Sequence, residues 1–413
     1  MNRTHWSAVW VAISSGIIAA AYVGKLPPAI PLLREEFHLS LVAAGWVNSI
    51  FNTLSVFGAA FVGVLAGRYG ALRFCVAGLA ALMLGGLLGA AAHGSPTLLA
   101  SRILEGTGFI AIAVSVPTLI VAASAPRERG LTLGLWSVYL PLGASLTMLA
   151  STLLLLPLGW RGFWLAIVLA TLAAAVALWT SRGAYRAASA PAARTLSSIM
   201  RGLRQPGPWW LALAFGSYTL MFYAVAVWLP TFLVQERGAT ITQAALLGAL
   251  AVGLNCGGNL FGSWLLHRAL PRGHLISSTF VAMAACACGV FAPELPDASR
   301  FALCALYMCI GGIIPAAVLS GGQVYARDTS QISGIQGLIV QVSQLGTFFG
   351  PPLIAAVVSA AGNWESALRV LLAAAALGAL FGQLAVRTER DRSTLAGAHA
   401  LPQAEGTRPP PSP

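Results

Sequence analysis

Apolar residues occur along this chain in blocks of about twenty or more, each closed by a short polar or arginine-bearing break. A helix of roughly 20 apolar residues crosses the hydrocarbon core of a bilayer. Blocks of that length lie at 7–33, 41–66, 72–93, 97–123, 131–157 and 161–181, and again at 208–234, 241–266, 274–292, 300–325, 331–361 and 364–387. The pattern predicts an all-α membrane protein of twelve transmembrane helices, six on each side of a polar stretch at 182–207. Residues 1–181 then form an N-terminal six-helix bundle and 208–387 a C-terminal one. Residues 388–413, which end Pro-Pro-Pro-Ser-Pro, read as a disordered tail. The first block is too long for a signal-peptide core and lacks a small-residue cleavage site, so it reads as a span.

Composition removes the soluble alternative. Hydrophobic residues make up 57% of the 413 and charged residues only 9%, with a mean hydropathy of +0.79. Soluble domains carry roughly a quarter charged residues, so lipid is the solvent for most of this surface. The net charge of +12 is not a nucleic-acid footprint, because the arginines sit at the ends of apolar blocks rather than in a polar domain. With the N-terminus inside, Arg3, Arg68, Arg73, Arg127, Arg129, the arginines of 182–207, Arg268, Arg272, Arg327, Arg387, Arg390 and Arg392 fall on one side. Only Arg34, Arg161, Arg237, Arg300 and Arg369 fall on the other. The positive-inside rule therefore puts both termini in the cytoplasm of a bacterial-type inner (plasma) membrane. The six cysteines all lie in apolar blocks, so a disulfide framework is not expected. No metal site, cofactor or P-loop is expected either.

The halves echo one another. Arg102 and Pro117 are matched in spacing by Arg300 and Pro315, Gly58 and Gly63 by Gly257 and Gly262, and Trp160 by Trp364, all at similar offsets. Such echoes favour duplication of a six-helix unit. The stretch Gly63-Val-Leu-Ala-Gly67-Arg68-Tyr-Gly70-Ala-Leu-Arg73 and the run Arg102-Ile-Leu-Glu105-Gly106-Thr-Gly108 resemble signatures of the major facilitator superfamily, and the resemblance covers residues 5–390. It implies two six-helix bundles that rock around a central site. It also implies a gating loop carried by Gly63, Arg68, Gly70 and Arg73, although Gly67 stands where the family has aspartate. Gly134-Leu-Trp136-Ser137 and Trp228-Leu-Pro230 are similar to the cyanate-permease-like branch.

Ionisable groups inside a bilayer are costly and hence functional candidates. Lys25, the chain's only lysine, precedes Pro27-Pro28 in the first block. It either snorkels to the interface or faces a central cavity and attracts an anion, and the second reading is preferred. Arg102 enters the fourth block, and Glu105 follows three residues on, within ion-pair reach on the same helix face. The pair is either a structural ion pair or a proton-responsive one beside the substrate path, with Glu105 as proton carrier. Asn48 and Asn52, Asn255 and Asn259, and Gln341 with Gln344 share helix faces, and Ser217, Tyr218, Phe222, Tyr223 and Trp228 line the seventh block. Interhelical hydrogen bonding explains the amides equally well. Together these residues predict a monomeric secondary transporter of a small organic or inorganic anion, not an enzyme. The alternatives are a proton-driven exporter of drugs or metabolites and a non-transporting receptor.

Overall fold

The computed structural model describes residues 3–189, 204–268, 270–325 and 329–400, and among them it contains only helices and their connections. Arg194, Arg201, Arg327 and the tail beyond residue 400 lie outside the described residues.

The first crossing is broken where the sequence demands it. Helix α1 (Trp6–Gly24) and α2 (Leu26–Phe37) meet at Lys25. Proline at the start of α2 lacks the N–H that would continue the hydrogen-bond ladder, and its ring crowds the preceding turn. Helix α3 (Leu41–Ser49) and α4 (Thr53–Tyr69) make the second crossing around a 3-10 turn at Ile50–Asn52. Helices α5 (Ala71–Ala90) and α6 (Ser95–Ala123) follow. A short α7 (Arg129–Trp136) leads into α8 (Tyr139–Thr180).

Among the described residues, eleven continuous helical segments are long and apolar enough to span a membrane, and one, residues 139–185, is 47 residues long. At 1.5 Å per residue that is more than twice the hydrocarbon thickness. Gly159, at φ 65° and ψ 171°, interrupts it, a conformation that glycine reaches without a Cβ clash. Ala144 and Trp164, on either side, both lie beside the Gly24–Lys25 break of the first crossing, so α8 is a hairpin of two crossings. Twelve crossings result, as the hydrophobic blocks predict.

The C-terminal half comprises α9 (Pro206–Arg237), α10 (Ile241–His267), α11 (Arg272–Val290), α12 (Asp297–Gly311), α13 (Ile313–Tyr325), α14 (Thr329–Ala361) and α15 (Ala367–Ala400). Helix α15 continues through Ala400 rather than yielding at residue 388 to a disordered tail. Residues 388–400 contain only one glycine and no proline, so nothing in their backbone stops the helix.

Each half packs mainly on itself, α1 with α6 and α8, and α9 with α14 and α15. In each half, close crossings bring backbones into contact, and the tightest pair correspond. A Cβ at Gly106 of α6 would lie 1.6 Å from the Phe51 carbonyl oxygen, and one at Gly258 of α10 would lie 1.6 Å from that of Cys309. The duplication read from the sequence thus has a counterpart in the packing, with the glycine on the opposite partner in each half. Between the halves, α3 and α4 pack on α14, α8 on α10, and α2 on α9. Ser145 donates to the Ala249 carbonyl at 2.7 Å, and Gln341 donates to the Val56 carbonyl. A Cβ at Gly45 would come within 2.9 Å of Pro352 Cα. These contacts lie from mid-membrane towards the side away from the chain's N-terminus.

Candidate functional site

Lys25, Arg102 and Glu105 form one buried cluster. Lys25, at the junction of α1 and α2, donates from its ammonium to Glu105 Oε1 at 2.6 Å. One turn of α6 brings Arg102 Nη1 onto Glu105 Oε2. Arg102 also donates to the Tyr22 carbonyl at 2.9 Å and the Val47 carbonyl at 3.3 Å, tying α6 to the first two crossings. Lys25 and Glu105 are 0% exposed and Arg102 is 1% exposed. Lys25 therefore does not snorkel. It also does not face an open cavity, because the anion opposite it is Glu105.

Aromatic rings close the cluster. Lys25 Nζ lies 3.8 Å from the Trp164 ring centroid and 4.4 Å from that of Tyr22, and Arg102 sits 4.5 Å over Phe51. Cation–π attraction of this kind strengthens when water is excluded. Tyr22 is held in turn by a 3.0 Å hydrogen bond with Thr171. Small residues make room: a Cβ at Gly85 would lie 2.6 Å from Glu105 Cγ, and one at Gly89 would lie 2.5 Å from the Trp164 ring. The sequence reading missed Tyr22, Phe51, Trp164 and Thr171, since no spacing rule connects residues so far apart in the chain.

From Phe51 a series of rings leads along the bundle. Phe51 contacts Phe109 at 5.3 Å, Phe109 contacts Tyr139 at 6.5 Å, and Tyr139 stacks on Trp136 at 3.9 Å and 7°. Tyr139 lies within electrostatic reach of Tyr223 in the other half. There, Phe222 adjoins Tyr218 at 5.9 Å and Tyr223 at 5.3 Å. Asn255 donates to the Tyr218 hydroxyl at 2.9 Å and to the Met308 carbonyl at 2.8 Å, and Asn259 donates to Asn255 at 3.4 Å. The structure thus brings Tyr218, Phe222, Tyr223, Asn255 and Asn259 together, and it adds Tyr139 from the N-terminal half.

Asn48 on α3, which packs along the seam on α14, and Asn52 in the 3-10 turn that follows are both buried, and Asn48 Nδ2 has no hydrogen-bond partner. Gln341 is on the same seam, engaged with Val56. Arg68 and Arg73 are exposed, with Gly70 between them at φ 87°, and among the described residues neither has an ion-pair partner. Gly63 lies within α4.

The Major Facilitator Superfamily profile matches residues 11–344. The chain belongs to the Major Facilitator Superfamily. It is 28% identical over 366 residues to the 3-(3-hydroxy-phenyl)propionate transporter of Escherichia coli (strain K12), covering 86% of each chain. It is 24% identical over 397 residues to the hexuronate transporter of Bacillus subtilis (strain 168), covering 90% of this chain and 91% of that one. Its fold is similar to a crystal structure of a bacterial homologue of the human lysosomal transporter Spinster in an inward-facing, unoccupied conformation. The TM-score is 0.77 at 16% identity, over 94% of this chain and 98% of the other. This superfamily chain is accordingly a multi-pass membrane transporter.

Proposed function

We propose that this transporter carries small organic carboxylates, bound between the bundles against Tyr139, Tyr218, Phe222 and Tyr223. The buried Lys25, Arg102 and Glu105 centre supplies positive charge behind them. The observation that carries this reading is the charge count. Two cations and one carboxylate share a fully buried site, leaving one positive charge uncompensated inside the membrane. Such a charge is costly, and an anion entering between the bundles offsets it. The rings suit an aryl or sugar-like body, and the unpaired Asn48 Nδ2 offers a donor whose isolation costs about 1–3 kcal/mol. The two relatives are named for an arylpropionate and a hexuronate, both carboxylates.

The same count supports proton coupling. A proton on Glu105 leaves two uncompensated cations in the bundle, so protonation and anion binding favour each other. That linkage is what proton–anion symport requires. The arginine distribution places both termini in the cytoplasm, and the seam contacts towards the opposite side correspond to a state open inward. Each chain holds a whole site, so the monomer is the working unit.

Uptake into proteoliposomes tests the reading, with radiolabelled 4-hydroxybenzoate and glucuronate compared with their uncharged amides in wild type and Lys25→Gln. Saturable uptake of the acids, absent for the amides and reduced at least tenfold in Lys25→Gln, supports it. Transport of the amides alone, or acid uptake indifferent to Lys25, transfers the protein to the exporter class.

A further inference from the structure

The C-terminal bundle contains a second polar–apolar constellation, away from the bundle interface. A pocket of about 280 Å³ lies among the ends of α9 and α11 and the starts of α10 and α12, with Arg237, Asp297 and Arg300 on its lining and Phe232, Leu247 and Phe301 among its walls. Leu229, Phe232, Val290 and Cys304 also wall a further cavity of about 70 Å³ deeper in the bundle. That inner cavity reaches Trp228 and Trp364 and is lined almost wholly by apolar surface. The polar atoms nearby are turned away: Trp228 Nε1 donates to the Pro351 carbonyl at 2.9 Å, and the Tyr307 hydroxyl donates to the Met221 carbonyl at 3.1 Å.

The polar end of the pocket has unbalanced charge. Arg237 pairs with Asp297 at 3.3 Å. Arg300 has no carboxylate in ion-pair range among the described residues, and its buried Nε has no hydrogen-bond partner. An unpaired guanidinium N–H on a residue that lines an apolar cavity calls for an acceptor that carries negative charge. Arg237 closes α9, and Asp297 opens α12. These are ends of membrane-crossing helices, so the arginines stand at head-group depth and the cavity at acyl-chain depth.

We propose that this pocket holds the acyl chain of an anionic membrane lipid, with the lipid phosphate accepting from Arg300 and the chain passing Phe232 and Cys304 towards Trp228 and Trp364. The site lies wholly within one bundle and is independent of the carboxylate site. Its occupant wedges the α9–α12 contact, and the lipid's charge fixes which membranes fill it.

Tryptophan quenching in nanodiscs tests this. The probe is phosphatidylglycerol brominated on its acyl chains, set against equally brominated phosphatidylcholine in otherwise identical phosphatidylcholine discs. Phosphatidylglycerol is expected to reach half-maximal quenching at a mole fraction at least threefold lower. Arg300→Gln should erase that preference and Arg300→Lys should keep it. Trp228→Phe combined with Trp364→Phe should remove the preferential component. Cys304→Phe, which fills the junction between the two cavities, should abolish the preference without altering the head-group site. Equal quenching by the two lipids overturns the proposal, as does a preference that survives both Arg300→Gln and Cys304→Phe. If a brominated aryl carboxylate quenches in an Arg300-dependent way and the lipids show no preference, the pocket belongs to a soluble anion and the lipid assignment falls.

Discussion

Among the described residues, Glu105 is the only carboxylate that Lys25 and Arg102 touch, and the effects of altering the three follow from charge. Glu105→Gln leaves two buried cations with no anion, a loss of about 3–5 kcal/mol by analogy with broken buried pairs. Lys25→Gln leaves a neutral Arg102–Glu105 pair and should cost less. Thermal melting in detergent checks the order: the Glu105→Gln midpoint is expected below that of Lys25→Gln, and a saturating carboxylate substrate should raise the Glu105→Gln midpoint. The same variant separates binding from coupling. Glu105→Gln is expected to retain substrate counterflow while its net uptake no longer responds to an imposed pH gradient; uptake that still follows the gradient removes Glu105 from the proton path.

At the scale of the helix, two kinds of position decide the geometry. One is the break. Pro27 and Pro28 carry no N–H, so the hydrogen-bond ladder lapses beside Lys25 although its backbone stays helical. The other is the close crossing. Gly106 sits one residue after Glu105 and presses on the Phe51 carbonyl, so it sets how far α6 stands from the second crossing. Gly106→Val forces the backbones apart and pulls Arg102 away from the Val47 carbonyl. It is expected to lower the yield of monodisperse protein on gel filtration and to abolish uptake. Gly130→Val, at a position where an added Cβ meets nothing within 4 Å, should leave both near wild type.

Across the whole molecule, transport requires the seam between the bundles to open. Gly45 and Pro352 meet there at backbone distance, and Trp46 and Phe57 both pack on Phe348. Cysteines introduced at 45 and 352, in a background with the six native cysteines replaced, should form a disulfide under mild oxidation. Uptake is then expected to fall to background and to return on reduction. Full activity with the cross-link quantitatively formed would show that the seam need not part. A disulfide at this position constrains only the relative motion of the bundles, so melting of the oxidised form should not fall.

Hydrophobic blocks alone determine the twelve crossings and the membrane setting, because a bilayer imposes a length and a polarity on every span whatever its neighbours. The Arg102–Glu105 pair was also legible, since three residues on one helix fix a face. Tertiary structure alone decided that Lys25 belongs to that pair, that Trp164, Tyr22 and Phe51 enclose it, and that Tyr139 joins the tyrosines of α9. These partners come from separate crossings, and local periodicity says which face a residue occupies but not which helix lies opposite. Helix α15 shows the converse limit: its extension through Ala400 is in a segment whose polarity ends the membrane block without ending the helix.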